Sequence, residues 1–313
     1  MSINSISLIV PSTININTVV NLTTQGTVST PPSDVTHGSQ ITMLNTGYAA
    51  YFDSGLGRNL QSSDLTNVSN AVWASEFVSS GGTISKKRFL SDIIVDISNV
   101  KFIGCEFQTW IKNHSPSNSD LPTSGTVIEY CTHKPAGSDV GGSEAIRFNN
   151  YTIRRSNIRY FSDALKANGG TTLIEECYLR TAMADPNDHN DVIQNVGGSG
   201  TVTIRRCNLS IEPEILLTGG SGGPNACFMS ADMNASSVFT GIVEDCLIDP
   251  YTTIGLRLYD GGLTSNITYQ ITGNKFIRRG TVLHRGSVNT TPLNQITWSN
   301  NTYADNGEII PLG

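Results

Sequence analysis

A single template, repeated along most of the chain, restricts what this sequence can fold into more than any other feature. It runs hydrophobic, two residues, then Cys, Ser or Asn, one residue, then usually another hydrophobic. The copies are Phe102-x-x-Cys105-x-Phe107, Ile128-x-x-Cys131-x-His133, Ile153-x-x-Ser156-x-Ile158 and Ile174-x-x-Cys177-x-Leu179. They continue as Ile204-x-x-Cys207-x-Leu209, Val243-x-x-Cys246-x-Ile248, Ile271-x-x-Asn274-x-Phe276 and Trp298-x-x-Asn301-x-Tyr303. Successive Cys/Ser/Asn positions lie 21 to 39 residues apart. Recurrence on this scale marks a solenoid whose turns are joined by loops of variable length. Each copy alternates Ile, Val or Thr with polar residues and ends at Gly or Asn, a strand pattern rather than a helical one. A strand of about five residues cannot bury itself alone, but stacked on its neighbours about 4.8 Å apart it forms a sheet along the solenoid axis. Identical positions then fall into columns, with Cys, Ser and Asn as an internal ladder at a bend. The architecture expected is all-β: a right-handed parallel β-helix of about eight or more rungs. A β-sandwich would need hairpin turns every 8–12 residues, a rhythm absent here.

The six cysteines fit the same frame. Five of them occupy the ladder column, and no Cys-x-x-Cys or Cys/His zinc spacing occurs. They are expected as free core thiols rather than as three disulfides. The chain has 20 Lys and Arg against 26 Asp and Glu, a net charge of −6. It lacks the basic footprint that nucleic acid requires. No apolar run reaches the ~18 residues of a membrane span. Met1 to Val10 carries no basic residue and its apolar patch stops at Pro11, so no secretory signal is expected.

The first 75 residues differ from the rest, with only Asp34, Asp53, Arg58 and Asp64 charged. Leu65, Val68, Val72 and Glu76 have helical spacing, which predicts a short helix from near Ser63 to Gly81-Gly82. Residues 1–80 are read as a strand-and-cap or attachment segment, and 81–313 as the β-helix. A cap would cover the open edge strands; an uncharged polar leader could equally attach the chain to a larger particle.

A second column follows the ladder strands: Ala145-Ile146-Arg147, Ala164-Leu165-Lys166, Val192-Ile193-Gln194, Ala226-Cys227-Phe228, Gly255-Leu256-Arg257 and Val282-Leu283-His284. The middle residue is apolar and expected inward. The first flank is small and the second long and mostly polar. An extended ligand such as a polysaccharide could lie over the small-residue floor and meet Arg147, Lys166, Gln194, Phe228, Arg257 and His284. The plain alternative is a solvated sheet face. Asp163, Asp191 and Asn225 mark equivalent strand starts and read as turn-capping groups; Asp191 also counts among the ligand-binding candidates. Asp185, Asp188 and Asp191 could together hold Ca²⁺, although the spacing is not that of an EF-hand; no other cofactor is expected. Arg147 and Lys166 on adjacent rungs would repel, disfavouring the protonated amine. That would suit β-elimination on a uronate, with Lys166 or His189 taking the proton and Arg147 neutralising the carboxylate. Hydrolysis would need two carboxyls, for which Asp188, Asp191 and Asp232 are candidates.

The stretch His189-Asn-Asp-Val-Ile-Gln194, followed by Val202-Thr-Ile-Arg-Arg, Asn225-Ala226 and Ile254-Gly-Leu-Arg-Leu-Tyr, resembles right-handed β-helix proteins of the pectate-lyase-like superfamily, in particular bacterial and bacteriophage, tailspike-like members. The resemblance covers about residues 90–305. It implies the fold and leaves the reaction open, since that superfamily holds lyases, hydrolases, epimerases and non-catalytic tailspikes. The catalytic motif of classical pectate lyases is not recognisable. The expected function is a virion-surface or tail-associated protein, glycan-binding or structural, with polysaccharide cleavage as an added activity. The alternative is a polysaccharide lyase acting on an acidic glycan. The expected partners are a host-surface glycan, other virion proteins through the N-terminal segment and two further copies in a homotrimer, with no nucleic acid or membrane; the expected location is the virion or the extracellular space.

Overall fold

The computed structural model describes residues 35–312, except 114–122, 136–143, 149, 168–169, 182–189, 212–223, 232–235, 252, 259–265 and 285–292. Its body is a parallel β-helix. Three parallel sheets run the length of the molecule, two of nine strands and one of ten. Sheet A runs from Thr83–Ser85 to Ile296–Ser299, sheet B from Thr66–Val68 to Thr302–Tyr303, and sheet C from Val72–Trp73 to Thr281–His284. From Thr83 onward each turn passes through A, B and C in that order before starting the next rung.

Each sheet sends a column of side chains into the core. Sheet A contributes Ile84, Phe102, Ile128, Ile153, Ile174, Ile204, Val243, Ile271 and Trp298, all in register. All but Trp298 are buried. Full burial of one such side chain is worth about 1.5–3 kcal/mol, so stacked rungs supply what a lone strand cannot. Sheet B adds Phe89, Phe107, His133 and Ile158 in the same manner. The His133 ring stacks on Phe107 with centroids 4.5 Å apart.

The bend between sheets A and B is made by one residue in left-handed conformation, directly before the ladder residue. These residues are Gly104, Tyr130, Arg155, Glu176, Arg206, Asp245, Gly273 and Asn300, with φ between 51° and 70°. Six are not glycine, at a cost of about 1–2 kcal/mol each. The ladder beneath offsets that cost. Asn301 Oδ1 accepts from the Asn274 backbone N–H at 3.1 Å, and Asn274 Oδ1 accepts from that of Cys246 at 3.0 Å. Cys246 Sγ in turn accepts from Cys207 N at 3.4 Å, and Cys207 Sγ from Cys177 N at 3.5 Å. Each ladder thiol also donates to the carbonyl two residues earlier, as Cys177 does to Glu175 at 3.2 Å. All six cysteines are free and buried, and burial pushes the Cys131, Cys177 and Cys246 thiols up from their ordinary value.

The N-terminal region departs from expectation in two ways. The helix read over Leu65–Glu76 is absent. Thr66–Val68 pairs with Lys87–Phe89, and Val72–Trp73 with Ile93–Ile94, so this stretch is already strand in sheets B and C. Only a 3₁₀ turn, Ala74–Glu76, remains of the helical spacing; sheet pairing overrides a weak local preference. Residues 35–61, for their part, run down the flank of the solenoid. His37 Nε2 lies 3.2 Å from the Gly273 carbonyl, and Gly38 N donates to Asp245 O at 2.6 Å. Asn208 Nδ2 donates to Ile41 O at 3.0 Å, and Gly47 N to Arg155 O at 2.9 Å. A Cβ on Gly38 would overlap the Cys207 carbonyl, so glycine is what lets the arm approach. Residues 1–34, where an attachment segment is expected, lie outside the described residues.

Candidate functional site

The outward column of sheet C is the most regular polar feature. Its register aligns Trp73, Ile94, Lys112, Arg147, Lys166, Gln194, Met229, Arg257 and His284 on successive rungs. Arg147, Lys166, Gln194, Arg257 and His284 therefore share one column at strand spacing, as their sequence pattern predicts. Arg147 and Lys166 keep part of their side chains exposed, 37% and 23%. His284 is placed by its backbone pairing with Arg257. Lys112 heads the polar part of this column and was legible: Ile111-Lys112 repeats the same apolar-then-long-polar pair.

Phe228 does not belong to that column. It pairs with Ile193 and Leu256, is fully buried and joins the core; Met229 takes the outward place between Gln194 and Arg257. The cause is a register shift. Asn190 pairs with Pro224 but Asp191 pairs with Ala226, so Asn225 is an extra residue in its strand. Counting from Asn225 as the equivalent of Asp191 moves the strand by one place, and a one-place slip exchanges the inner and outer faces. Cys227 accordingly lies level with Val192, off the inner column, and its buried thiol donates to Asp249 O at 3.3 Å.

The small-residue floor is likewise corrected. Ala145, Ala164, Val192 and Ala226 are fully buried, so no ligand can rest on them. What borders the outward column is a row of carboxylates three residues upstream. Glu144 Oε1 lies 3.2 Å from Arg147 Nη1 and 3.7 Å from Lys166 Nζ, and Asp163 Oδ2 lies 3.5 Å from Lys166 Nζ. Asp163 Oδ1 accepts from the Asp191 backbone N–H at 2.8 Å, the capping role its position suggests. Asp191 is fully buried, and Gln194 Nε2 donates to its Oδ2 at 3.2 Å.

This arrangement changes the chemistry. Lys166 Nζ sits between the Glu144 and Asp163 carboxylates, so Arg147 is not its only charged neighbour. Asp191, expected to face a ligand, is instead a buried brace for Gln194. Glu144 was not singled out from sequence because nothing local distinguishes it; only the fold sets it against two cations. His189, Asp185, Asp188 and Asp232 lie outside the described residues, and with them the Ca²⁺ candidate set apart from Asp191. Among the described residues no group of three His, Cys, Asp or Glu side chains could hold a metal ion. Among the described residues no helix is long and apolar enough to cross a membrane.

Comparison with known proteins finds no matching family model, no matching curated protein and no matching solved structure.

Proposed function

We infer that this β-helix binds a polysaccharide along the outward column of sheet C, as a virion-surface or tail-associated protein does. The observation that carries the reading is the unbroken register Lys112, Arg147, Lys166, Gln194, Met229, Arg257, His284. Strands repeat at about 4.8 Å, which offers a chain-like ligand one contact per rung. The Arg147–Glu144–Lys166–Asp163 network presents donors and acceptors side by side, the mixture that sugar hydroxyls need. Met229 in the row is largely buried, 8% exposed, so contacts at that rung fall to its polar neighbours Gln194 and Arg257.

Binding is favoured over β-elimination because Lys166 is tied to two carboxylates. Attachment to a particle is assigned to the N-terminal segment, of which residues 1–34 lie outside the described residues. The test is a panel of acidic and neutral bacterial polysaccharides, followed by binding, unsaturated-uronate absorbance and reducing ends in parallel. The expected result is saturable binding that weakens about tenfold in Arg147→Ala/Lys166→Ala. Release of unsaturated ends would make the protein a lyase, and reducing ends alone a hydrolase. No binding to any member would overturn the reading.

A further inference from the structure

We propose a second ligand site, independent of the sheet C column: the cleft between the N-terminal arm and the outer face of sheet B, specific for a carboxylated sugar unit. The cleft has a volume of about 520 Å³, within the range of sites for small ligands. One wall is the arm, with Met43, Leu44 and Tyr48; the other is sheet B, with Glu106, Lys134, Asn157 and Arg159.

The charge of this wall is unbalanced in a chain that is acidic as a whole. Glu106, the acid lining the cleft, is already held by Arg88 at 3.1 Å and by Gln108 Nε2 at 2.8 Å. Lys134 and Arg159, by contrast, have no carboxylate partner among the described residues, whereas most other cations here are paired. They stand on neighbouring rungs, just beyond the paired residues His133 and Ile158. Both cations lie over the ring of Tyr160, at 5.8 Å and 5.2 Å from its centroid. That contact holds them in place without consuming their charge.

Local backbone geometry points the same way. The pairing of this strand with the next rung shifts between Ile158 and Phe161, and Tyr160 has φ 67°. A bulge with a bulky left-handed residue is costly and recurs beside functional sites. Two polar atoms here also lack hydrogen-bond partners: Arg159 Nε, a donor, and Oδ1 of the buried Asn157, an acceptor. A sugar acid supplies both complements, a carboxylate for the guanidinium and a hydroxyl for the amide oxygen. Met43 and Leu44, exposed on the opposite lip, suit the apolar face of the ring.

The test is calorimetric titration of the full chain with digalacturonate and with its neutral counterpart digalactose, at low and high salt. Digalacturonate is expected to bind at least about tenfold more tightly and to weaken with salt. Lys134→Ala and Arg159→Ala should each lose about tenfold, and Arg159→Lys should recover part of the loss. Arg278→Ala, at the far end of sheet B, should leave this affinity unchanged. Lys134 is exposed, so its variant keeps the test valid even where Arg159→Ala melts early. Equal affinity for the two sugars, no binding at millimolar ligand, affinity unchanged in both Lys134→Ala and Arg159→Ala, or tighter binding of a diglutamate peptide would each overturn the proposal.

Discussion

The ladder corner and the outward face of sheet C are both single-residue columns, repeated rung after rung, yet they behave as opposites. The corner accepts only Cys, Ser and Asn, because each side chain must reach a backbone N–H on the next rung while its neighbour holds a left-handed φ. The sheet C column holds Trp, Ile, Lys, Arg, Gln, Met and His, since the backbone asks nothing of a side chain that points outward. A column closed on itself is restricted by the fold; an open one is left to function. Stability should therefore concentrate on the closed side of the molecule and ligand recognition on the open side.

The largest effect expected on the closed side belongs to His133. It is fully buried against Phe107, neither ring nitrogen has a hydrogen-bond partner among the described residues, and burial lowers its pKa to about 3. The unfolded chain takes up this proton near pH 6.5 whereas the folded one resists until about pH 3. Stability is then complete above pH 6.5 and is lost as pH falls through that window, by roughly 4–5 kcal/mol in all. Urea midpoints at neutral and acid pH should converge for His133→Leu relative to the parent. An equal acid loss in both proteins would show that the ring is not held neutral.

Phe228 and Met229 test the same contrast within one strand. Phe228→Ala should cost about 3–5 kcal/mol, and Met229→Ala about 2 kcal/mol, since Met229 is 8% exposed and outside the core cluster. A reversed order would put the register back where the sequence alone places it. At the ladder, Asn274→Leu removes the acceptor of Cys246 N and the donors to Val243 O and Asn301. A loss of about 2–4 kcal/mol is expected in chemical denaturation; a neutral result would mean that small size, and not hydrogen bonding, selects ladder residues. The smallest stability effect should come from Arg147→Ala, under about 1 kcal/mol, because its pair with Glu144 is partly exposed. The same variant should change polysaccharide affinity far more than its melting temperature.

Much of this could be read before any coordinates. The ladder residues, the inward Ile146, Leu165, Ile193 and Leu256, and the outward Arg147, Lys166, Gln194 and Arg257 follow from local alternation, which a solenoid copies faithfully from rung to rung. The reading failed at Asn225, where one inserted residue breaks the count, and at Leu65–Glu76, where strand pairing overrode helical spacing. Candidate chemistry was the least legible. The carboxylates that tie down Lys166 and the cleft beside Arg159 arise from residues brought together across rungs and from the arm.

The sequence by itself determined the β-helix, its reduced thiol ladder and the existence of a polar column, because each depends on a repeat that is local and periodic. Only the tertiary structure decided which of Cys227, Phe228 and Met229 faces outward, where residues 35–61 lie, and which cations lack a carboxylate partner among the described residues. Those outcomes depend on inter-rung register and on contacts between segments more than a hundred residues apart, such as His37 with Gly273. No local pattern encodes such a distance; it is settled when the rungs stack and the arm packs against them.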